Sequence, residues 1–471
     1  MKGTVERRPH VSRTVKELKH MFEPRSIAVI GASRTEGKIG YETLKNVMVW
    51  GFEGKIFAVN PNAVEILGLK CYKSVKDIKG HVDLAMVVIP AAQVPCTLRE
   101  CGEKGVNCAV VISSGFKEIG ADGEKLAQEV LAIARRYNIR LLGPNTMGFK
   151  NPVDELDASF AFGMPDCGTI SVVSQSGALS IGMIYHAVLE KIGLSKVIGI
   201  GNKIDIDEAD LIEYLDYDKN TDVIAMYIEG VSNGRKFLKA AKNCSKPIVL
   251  IKAGRSKAGA AAAASHTGSL AGVDRIYDGV FKQANVYRAA DVTELFDVSH
   301  ALAYQPVAKG NRIGIVSNGG GAGILIADGL GDEGIDVPEL SRNTTTVLKR
   351  ILPPLVVPHN PVDIVADASF YRYEAASHAV LDDPSVDGLI VVCVQGRYAR
   401  PREYAGAMEK LFREQRNDLV KKPIMGCWIG GTEISEVIES LKDENIPIYP
   451  STTRVVKAMA AIVREGRRQA K

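Results

Sequence analysis

The stretch that decides the fold is Thr169-Ile170-Ser171-Val172-Val173-Ser174-Gln175-Ser176-Gly177, in which a short apolar strand runs directly into a loop of small residues. The same order recurs in Arg312-Ile313-Gly314-Ile315-Val316-Ser317-Asn318-Gly319-Gly320-Gly321, with Ser174 aligned to Ser317. A helical pattern follows each loop. A strand that passes through Gly and Ser into a helix is typical of parallel sheets with helices on both faces.

A third unit of this kind stands earlier in the chain, where Ser26–Ile30 leads into Gly31-Ala32-Ser33. Each unit opens a segment in which apolar strands and helices alternate. Further strands are predicted at 56–59, 84–89, 108–112 and 139–142, then at 197–200, 223–228 and 247–252, and finally at 388–394 and 423–428. We therefore predict an α/β protein of three Rossmann-like or flavodoxin-like domains with parallel sheets. The expected domains are 1–151, 152–306 and 307–471, with linkers at Lys150-Asn151-Pro152 and 305–310.

Composition excludes several classes of function. The net charge of +4 is small for 471 residues, and no basic tract carries interleaved aromatic residues, so nucleic-acid binding is disfavoured. The eight cysteines show no CxxC pair and no zinc spacing, and the acidic residues between 205 and 210 also lack a metal spacing, which suggests a solvated loop and helix start. The polar N-terminus contains no apolar stretch long enough for a signal peptide or a membrane span. We expect a cytoplasmic protein without a metal site or a membrane partner.

The first small-residue loop predicts a phosphate-rich ligand that is not NAD. A strand that turns through Gly and Ser into a helix exposes free N–H groups, and the helix dipole favours anions there. The loop is not a P-loop, because five residues separate Gly31 from Gly37 and Ile39 stands where Ser or Thr would hold magnesium. The second strand ends in Asn60-Pro61 instead of the acidic residue that binds a ribose. The alternative is a purely structural turn.

The second and third loops are more unusual as a pair. The loops 174–177 and 317–321 would each present a helix start to an anion. Two copies on duplicated domains could face one another and hold one phosphate between two positive dipole ends. Tight turns with small residues for close packing are the alternative.

One histidine has a setting suited to phosphoryl transfer. His266 lies in Ser265-His266-Thr267-Gly268, after the small-residue run 258–264, with cationic residues upstream. A histidine without bulky neighbours can attack a phosphoryl group and hold it covalently, although a turn histidine in a flexible Gly/Ala loop has the same sequence. Glu229 ends the strand 224–228, on the ligand-binding edge of a parallel sheet, where its carboxylate could fix an imidazole tautomer.

These motifs together resemble the α subunit of the ADP-forming (NDP-forming) acetyl-CoA synthetases, in the succinyl-CoA synthetase superfamily, over essentially the whole chain. The resemblance implies one CoA-binding domain followed by two ligase-CoA-type domains. The residues that it assigns to CoA are Gly31, Ser33, Lys38, Asn60, Pro61, Ile89, Pro90, Ser113 and Ser114. Those that it assigns to the thioester and the phosphate are Asn145, Ser174, Gln175, Ser176, Gly177, Asn318, Gly319, Gly320 and Gly321.

The resemblance also implies a mechanism. Acyl-CoA and phosphate would give an acyl phosphate, which phosphorylates His266, while Glu229 orients the ring and the Ala-rich run lets it move toward ADP. No segment is typical of an ATP-grasp domain, so Mg-ADP and Mg-ATP are expected mainly on an ATP-grasp β subunit, in an α2β2 assembly. A non-catalytic CoA-binding regulatory protein of the same fold is the alternative. The preferred acid, acetate or a branched or aryl acid, stays open, as does the choice between ADP and GDP.

Overall fold

The computed structural model describes residues 11–267, 274–417 and 421–470. Its contacts divide the chain into two compact units. The first unit holds the residues up to His186 together with Gly193–Arg288, and the second holds Ala187–Ile192 with the residues from Ala289 onward. Three mostly parallel sheets flanked by helices make up the molecule, which confirms the predicted α/β class.

The first sheet belongs to the first unit and has the strand order of a Rossmann-like domain. Its strands are β1 Ser26–Ile30, β2 Lys55–Val59, β3 Glu65–Ile66, β4 Leu69–Tyr72, β5 Leu84–Val87, β6 Cys108–Val111 and β7 Arg140–Leu142. The helices are α1 Arg13–Phe22, α2 Ile39–Val49, α3 Val94–Lys104 and α4 Ala121–Tyr137. The order β3-β4-β2-β1-β5-β6-β7 changes direction between β1 and β5, and ligands of open α/β sheets bind at such a switch point.

The second sheet also belongs to the first unit. Its strands are β8 Gly148–Asn151, β9 Leu156–Ser159, β10 Cys167–Ser174, β11 Leu194–Gly199, β12 Val223–Ile228, β13 Ile248–Lys252 and β14 Tyr287–Arg288, in the order β14-β13-β12-β10-β11-β8-β9. The helices are α5 Gly177–Leu189, α6 Glu208–Tyr217, α7 Gly234–Asn243, α8 Lys257–Thr267 and α9 Asp274–Gln283. The switch point of this sheet is at β10, which has β11 on one side and β12 on the other.

The expected linker at Lys150-Asn151-Pro152 is wrong. Lys150 and Asn151 lie fully buried in β8, which pairs antiparallel with β9 and β11. The Lys150 ammonium forms an ion pair with the equally buried Asp157 and also donates to the carbonyl of Ala161. A buried charge is tolerated when it is paired in this way.

The Ala-rich run before His266 is helical, which differs from the flexible Gly/Ala loop that was the alternative setting for this histidine. Residues 257–267 form α8, in agreement with the high helix propensity of alanine. The backbone of His266 belongs to the last turn of this helix. Its side chain lies outside the described residues.

The acidic stretch near 205–210 begins a helix, as expected, but it is not solvated. Asp207 caps α6, and Glu208 and Asp210 are buried. Arg140 donates to Asp205 at 2.9 Å and to Asp210 at 3.3 Å. The carboxylates therefore serve as ion-pair partners within the first unit.

The second unit holds the third sheet, which is entirely parallel. Its strands are β15 Ile313–Ser317, β16 Val362–Asp363, β17 Gly388–Val394, β18 Ile424–Ile429 and β19 Ile448–Tyr449, in the order β16-β15-β17-β18-β19. Its helices are α10 Val292–Tyr304, α11 Gly320–Asp332, α12 Arg342–Ile351, α13 Phe370–Leu381, α14 Pro401–Asn417, α15 Thr432–Asp443 and α16 Thr452–Gln469. Within the described ranges, no helix is both long and apolar enough to cross a membrane.

Candidate active site

A cavity of about 1420 Å³ lies within the first unit, along the loops that follow the carboxyl ends of its parallel strands. The loops after β1, β2, β5 and β6 form one part of its wall. All nine residues that the sequence assigned to CoA line this cavity: Gly31, Ser33, Lys38, Asn60, Pro61, Ile89, Pro90, Ser113 and Ser114.

The loops after β10, β11 and β12 complete the wall of the same cavity. Five residues predicted from the second sheet and the connection to it line this part: Asn145, Gln175, Ser176, Gly177 and Glu229. The structure therefore brings the two predicted groups of the first unit together in one continuous space.

Helix starts give this cavity free hydrogen-bond donors. No described residue accepts a hydrogen bond from the N–H groups of Ile39 and Gly40, at the start of α2. The same holds for the N–H groups of Gly177 and Ala178 at the start of α5. The following N–H, that of Leu179, donates to the Ser176 hydroxyl. Free N–H pairs at the positive end of a helix dipole favour a bound anion.

Close backbone packing explains the glycines of the first loop. A Cβ on Gly31 would lie 2.1 Å from the carbonyl oxygen of Val88, and the φ of Gly31 is +93°. A Cβ on Gly40 would lie 2.1 Å from the carbonyl oxygen of Gly31. Only glycine permits this contact between strand, loop and helix, which brings the free N–H groups of α2 to the cavity.

Two side chains among the residues assigned to CoA connect neighbouring loops. Asn60 donates its amide to the carbonyl of Ala32 at 2.8 Å, and the Ser113 hydroxyl donates to the carbonyl of Ile89 at 2.5 Å. These contacts fix the shape of the wall.

Glu229 follows β12 directly and is 9% exposed. The Tyr227 hydroxyl hydrogen-bonds to it, and burial together with the negative charge of Glu229 raises the pKa of Tyr227 to about 12. The backbone N–H of Glu229 donates to the side-chain oxygen of Gln175 at 2.9 Å. Tyr227 thus holds the carboxylate and Gln175 holds the backbone of Glu229. The predicted pairing with His266 stays a prediction, because that ring lies outside the described residues.

Ser174 departs from the prediction that it contacts phosphate. It is fully buried and does not line the cavity. Its hydroxyl donates to the carbonyl of Ser176 at 2.9 Å, so it stabilises the turn. Ser317 does the same toward Gly319 at 2.8 Å in the second unit. A serine that precedes a tight turn often satisfies local backbone groups.

The third predicted loop lies in the second unit. Asn318 is buried, and its side chain bonds to both backbone groups of Val394, at 2.7 and 2.9 Å, so its amide is used within the fold. Gly319 precedes α11, and no described residue accepts from the N–H groups of Gly320 and Gly321. This start of α11 has the donors for an anion, but the clamp formed by two helices stays a prediction.

Sequence reasoning missed Lys203 and Tyr277, which both line the cavity. Lys203 follows β11, on the opposite side of β10 from Glu229. The end of a strand beside a switch point is itself a signal, and it could have drawn attention to Gly201-Asn202-Lys203 without any motif. Within the described ranges, no three His, Cys, Asp and Glu side chains come together to hold a metal ion.

Three sequence families match this chain in succession. A CoA binding domain matches residues 25–152, a succinyl-CoA ligase like flavodoxin domain matches 167–302, and a ligase-CoA domain matches 313–470. These matches, with the three sheets, define a CoA ligase of the succinyl-CoA ligase type.

Individual relatives specify the family further. The α subunit of ADP-forming acetate–CoA ligase I from Pyrococcus furiosus is 43% identical over 96% of this chain and 99% of its own length. The ADP-forming acetate–CoA ligase of Methanocaldococcus jannaschii is 41% identical over 94% of this chain, which corresponds to 62% of that longer protein. The solved structure of dinucleotide forming acetyl-coenzyme A synthetase 1 from Ca. Korarchaeum cryptofilum, in complex with phosphate and ADP, has a TM-score of 0.92, 38% identity and coverage of 96% of this chain and 97% of that one. The chain therefore belongs to the family of ADP-forming acetate–CoA ligases.

Proposed function

We propose that the chain is the α subunit of an NDP-forming acyl-CoA synthetase, a cytoplasmic enzyme that converts acyl-CoA, ADP and phosphate to the organic acid, CoA and ATP. The observation that carries this proposal is that one continuous cavity in the first unit is lined both by the predicted CoA residues and by the predicted phosphate residues Asn145, Gln175, Ser176 and Gly177. Its volume of about 1420 Å³ is large enough for an extended ligand such as CoA.

CoA would bind along the loops of the first sheet. The free N–H groups at the start of α2 and the exposed Lys38 ammonium provide donors for phosphate oxygens. The extended ligand would then reach along the cavity toward the second sheet, with its thioester near Asn145.

Phosphate would bind at the start of α5. The free N–H groups of Gly177 and Ala178 would hold its oxygens, with Gln175 and Ser176 beside them. One phosphate oxygen attacks the thioester carbonyl carbon, the C–S bond breaks, and the sulfur leaves as the CoA thiolate, which takes up a proton. The products of this step are an acyl phosphate and CoA.

His266 would then take over the phosphoryl group. A ring nitrogen attacks phosphorus, the bond from phosphorus to the acyl oxygen breaks, and the organic acid leaves as its carboxylate. Glu229 would accept a hydrogen bond from the other ring nitrogen and stabilise the positive charge on the ring. A terminal phosphate oxygen of ADP finally attacks the phosphohistidine and gives ATP, and the imidazole is restored. The free N–H groups at the start of α11, in the second unit, would also offer donors to phosphoryl oxygens.

The nucleotide would bind mainly to an ATP-grasp β subunit, as Mg-ADP or Mg-ATP, in an α2β2 complex. The chain matches 99% of the Pyrococcus α subunit but only 62% of the longer Methanocaldococcus protein. The rest of that longer protein is not matched by this chain. We expect the purified chain without its partner to make no ATP from ADP and phosphate in the presence of acetyl-CoA.

The experiment that tests the chemistry is mass spectrometry of the chain after incubation with acetyl-CoA and phosphate. We expect a mass gain of one phosphoryl group, located on His266 and absent when either reagent is left out. His266→Ala should bind CoA as the wild type does, but it should not be phosphorylated and should make no ATP with the partner present. If CoA binds and the wild-type chain stays unmodified under all these conditions, the chain acts as a CoA-binding regulatory protein instead.

A further inference from the structure

Lys203 is a buried cation at the cavity wall that the proposed reaction does not use. Its side chain is 7% exposed, although the residue lines the cavity and has a positive φ of 46°. A lysine beside a predicted phosphate site would ordinarily be interpreted as a ligand for that phosphate. Its hydrogen bonds point to a different role.

All three protons of the Lys203 ammonium are already engaged. They are donated to the carboxylate of Glu208, to the carbonyl of Gly230 and to the side-chain oxygen of Gln175, the last at 3.3 Å. An ammonium group has three donors, so none is left for a ligand. Glu208 is 2% exposed, and this buried ion pair therefore holds Lys203 in place.

The contact with Gln175 fixes which end of its amide meets a ligand. The amide oxygen accepts from Lys203 and from the backbone N–H groups of Glu229, at 2.9 Å, and Gly230, at 3.3 Å. Three donors around one oxygen determine the orientation of the amide, which the shape of the side chain alone does not. Among the described residues, none accepts a hydrogen bond from the amide nitrogen of Gln175, and this residue lines the cavity next to the start of α5.

We propose that Lys203, held by Glu208, is a positioning residue for phosphate: it turns the Gln175 amide so that its NH₂ group donates to the bound phosphate, and it fixes the strand end that carries Glu229. This inference rests on the proposed function. The ionised oxygens of phosphate only accept hydrogen bonds, so the NH₂ group of Gln175 suits them, whereas the amide oxygen of a reversed Gln175 would repel them.

The test removes the pair without leaving a buried charge behind. Lys203→Met alone leaves Glu208 buried and unpaired, and such a variant can fail to fold. The double variant Lys203→Met/Glu208→Gln loses both charges and is the main test. In the complex with the partner subunit, we expect the KM for phosphate to rise by about tenfold or more and the KM for acetyl-CoA to change by less than about twofold.

A second buried pair in the same sheet provides the matched control. Lys196 and Asp218 are 1% and 5% exposed, lie 2.7 Å apart and do not line the cavity. Lys196→Met/Asp218→Asn should change thermal stability without changing either KM. Equal effects of the two double variants on the KM for phosphate, or no effect of either, would overturn the proposal.

Calorimetric titration of the full chain with inorganic phosphate separates this inference from the proposed reaction. Selective loss of phosphate binding in Lys203→Met/Glu208→Gln, with CoA binding kept, supports the positioning role even if the wild-type complex shows no turnover. Turnover in the wild type together with unchanged phosphate binding and KM in the variant refutes the positioning role and leaves the proposed reaction standing. A wild-type chain that neither turns over nor binds phosphate contradicts both.

Discussion

The carboxylate of Glu229 is the residue on which the proposed transfer to histidine depends most directly. Glu229→Gln keeps the shape of the side chain but removes the negative charge that favours a cationic imidazole and the correct tautomer. We expect the rate of histidine phosphorylation, followed by rapid quench with radioactive phosphate, to fall by more than about tenfold, since orienting acids in comparable systems contribute up to about four orders of magnitude.

Tyr227→Phe provides a comparison at the same carboxylate. Its hydroxyl donates to Glu229, but the charge of Glu229 remains when the hydroxyl is removed. The loss of rate should therefore be smaller than in Glu229→Gln. A fall of less than about tenfold in Glu229→Gln would show that Glu229 is not the partner of the phosphorylated ring.

For individual residues, the sequence indicated the position of the backbone better than the role of the side chain. The loops after parallel strands have to meet at one edge of a sheet, so strand ends alone predicted that Gly31 and Asn60 would lie at the ligand edge of the first sheet and Glu229 at that of the second. Ser174 failed because a hydroxyl in a tight turn competes for local backbone groups, which no motif reveals. Lys203 was missed because its role depends on Glu208 and Gln175, contacts that only the folded chain creates.

Among the elements, the start of α2 depends on the contact between Gly40 and Gly31. Gly40→Ala would place a methyl group 2.1 Å from the carbonyl oxygen of Gly31, and neither backbone segment can yield without moving the helix start. We expect a loss of about 1–3 kcal/mol in the free energy of unfolding, as for overpacking in general, together with weaker CoA binding. Thermal unfolding and calorimetric titration with CoA measure the two effects.

Gly182→Ala is the control for this substitution. Gly182 lies inside α5, where an added Cβ meets nothing within 4 Å. Alanine is the better helix former, so the variant should be as stable as the wild type or slightly more stable. Equal unfolding temperatures for the two variants would mean that the first loop relaxes easily around a methyl group at Gly40.

Strands with a continuous apolar run were predicted from the sequence, and elements with polar or uniformly small residues were not. The parallel strands are continuous apolar runs because both faces of a parallel sheet are covered, which made β5, β12 and β17 evident. β8 was not predicted because Lys150 and Asn151 are polar, and the burial of Lys150 depends on Asp157 further along the chain. A helix was not predicted for the run of alanines, although helix propensity alone favours α8.

For the molecule as a whole, the repeated strand–loop–helix unit predicted three parallel sheets, and the described residues form three mostly parallel sheets. The packing of the first two sheets into one compact unit was not visible in the sequence. It depends on contacts between distant residues, such as the ring of Phe22 against that of Phe149 at 5.0 Å and the ion pair of Arg140 with Asp205. The cavity described above follows from such contacts, since loops of both sheets line it.

The second unit should be sensitive to acid because of one buried histidine. His300, on α10, is 7% exposed, and burial, together with the positive charge of Lys442, lowers its pKa from 6.5 to about 4. Between pH 6.5 and pH 4 the unfolded chain binds a proton at this ring that the folded unit does not, so stability falls as the pH falls through this window. A shift of this size corresponds to about 3 kcal/mol at pH 4.

Hydrogen exchange of the intact chain measures this effect directly. The protection of α10 and α16, corrected for the intrinsic effect of pH on exchange, should decrease between pH 7 and pH 4 in the wild type. His300→Leu replaces the ring by an apolar side chain that does not titrate, so it should make the protection of these helices less dependent on pH. His378→Gln, which removes a partly exposed ring of the same unit, should keep the wild-type dependence. If His300→Leu and the wild type lose protection in parallel, the acid sensitivity of the second unit comes from other groups.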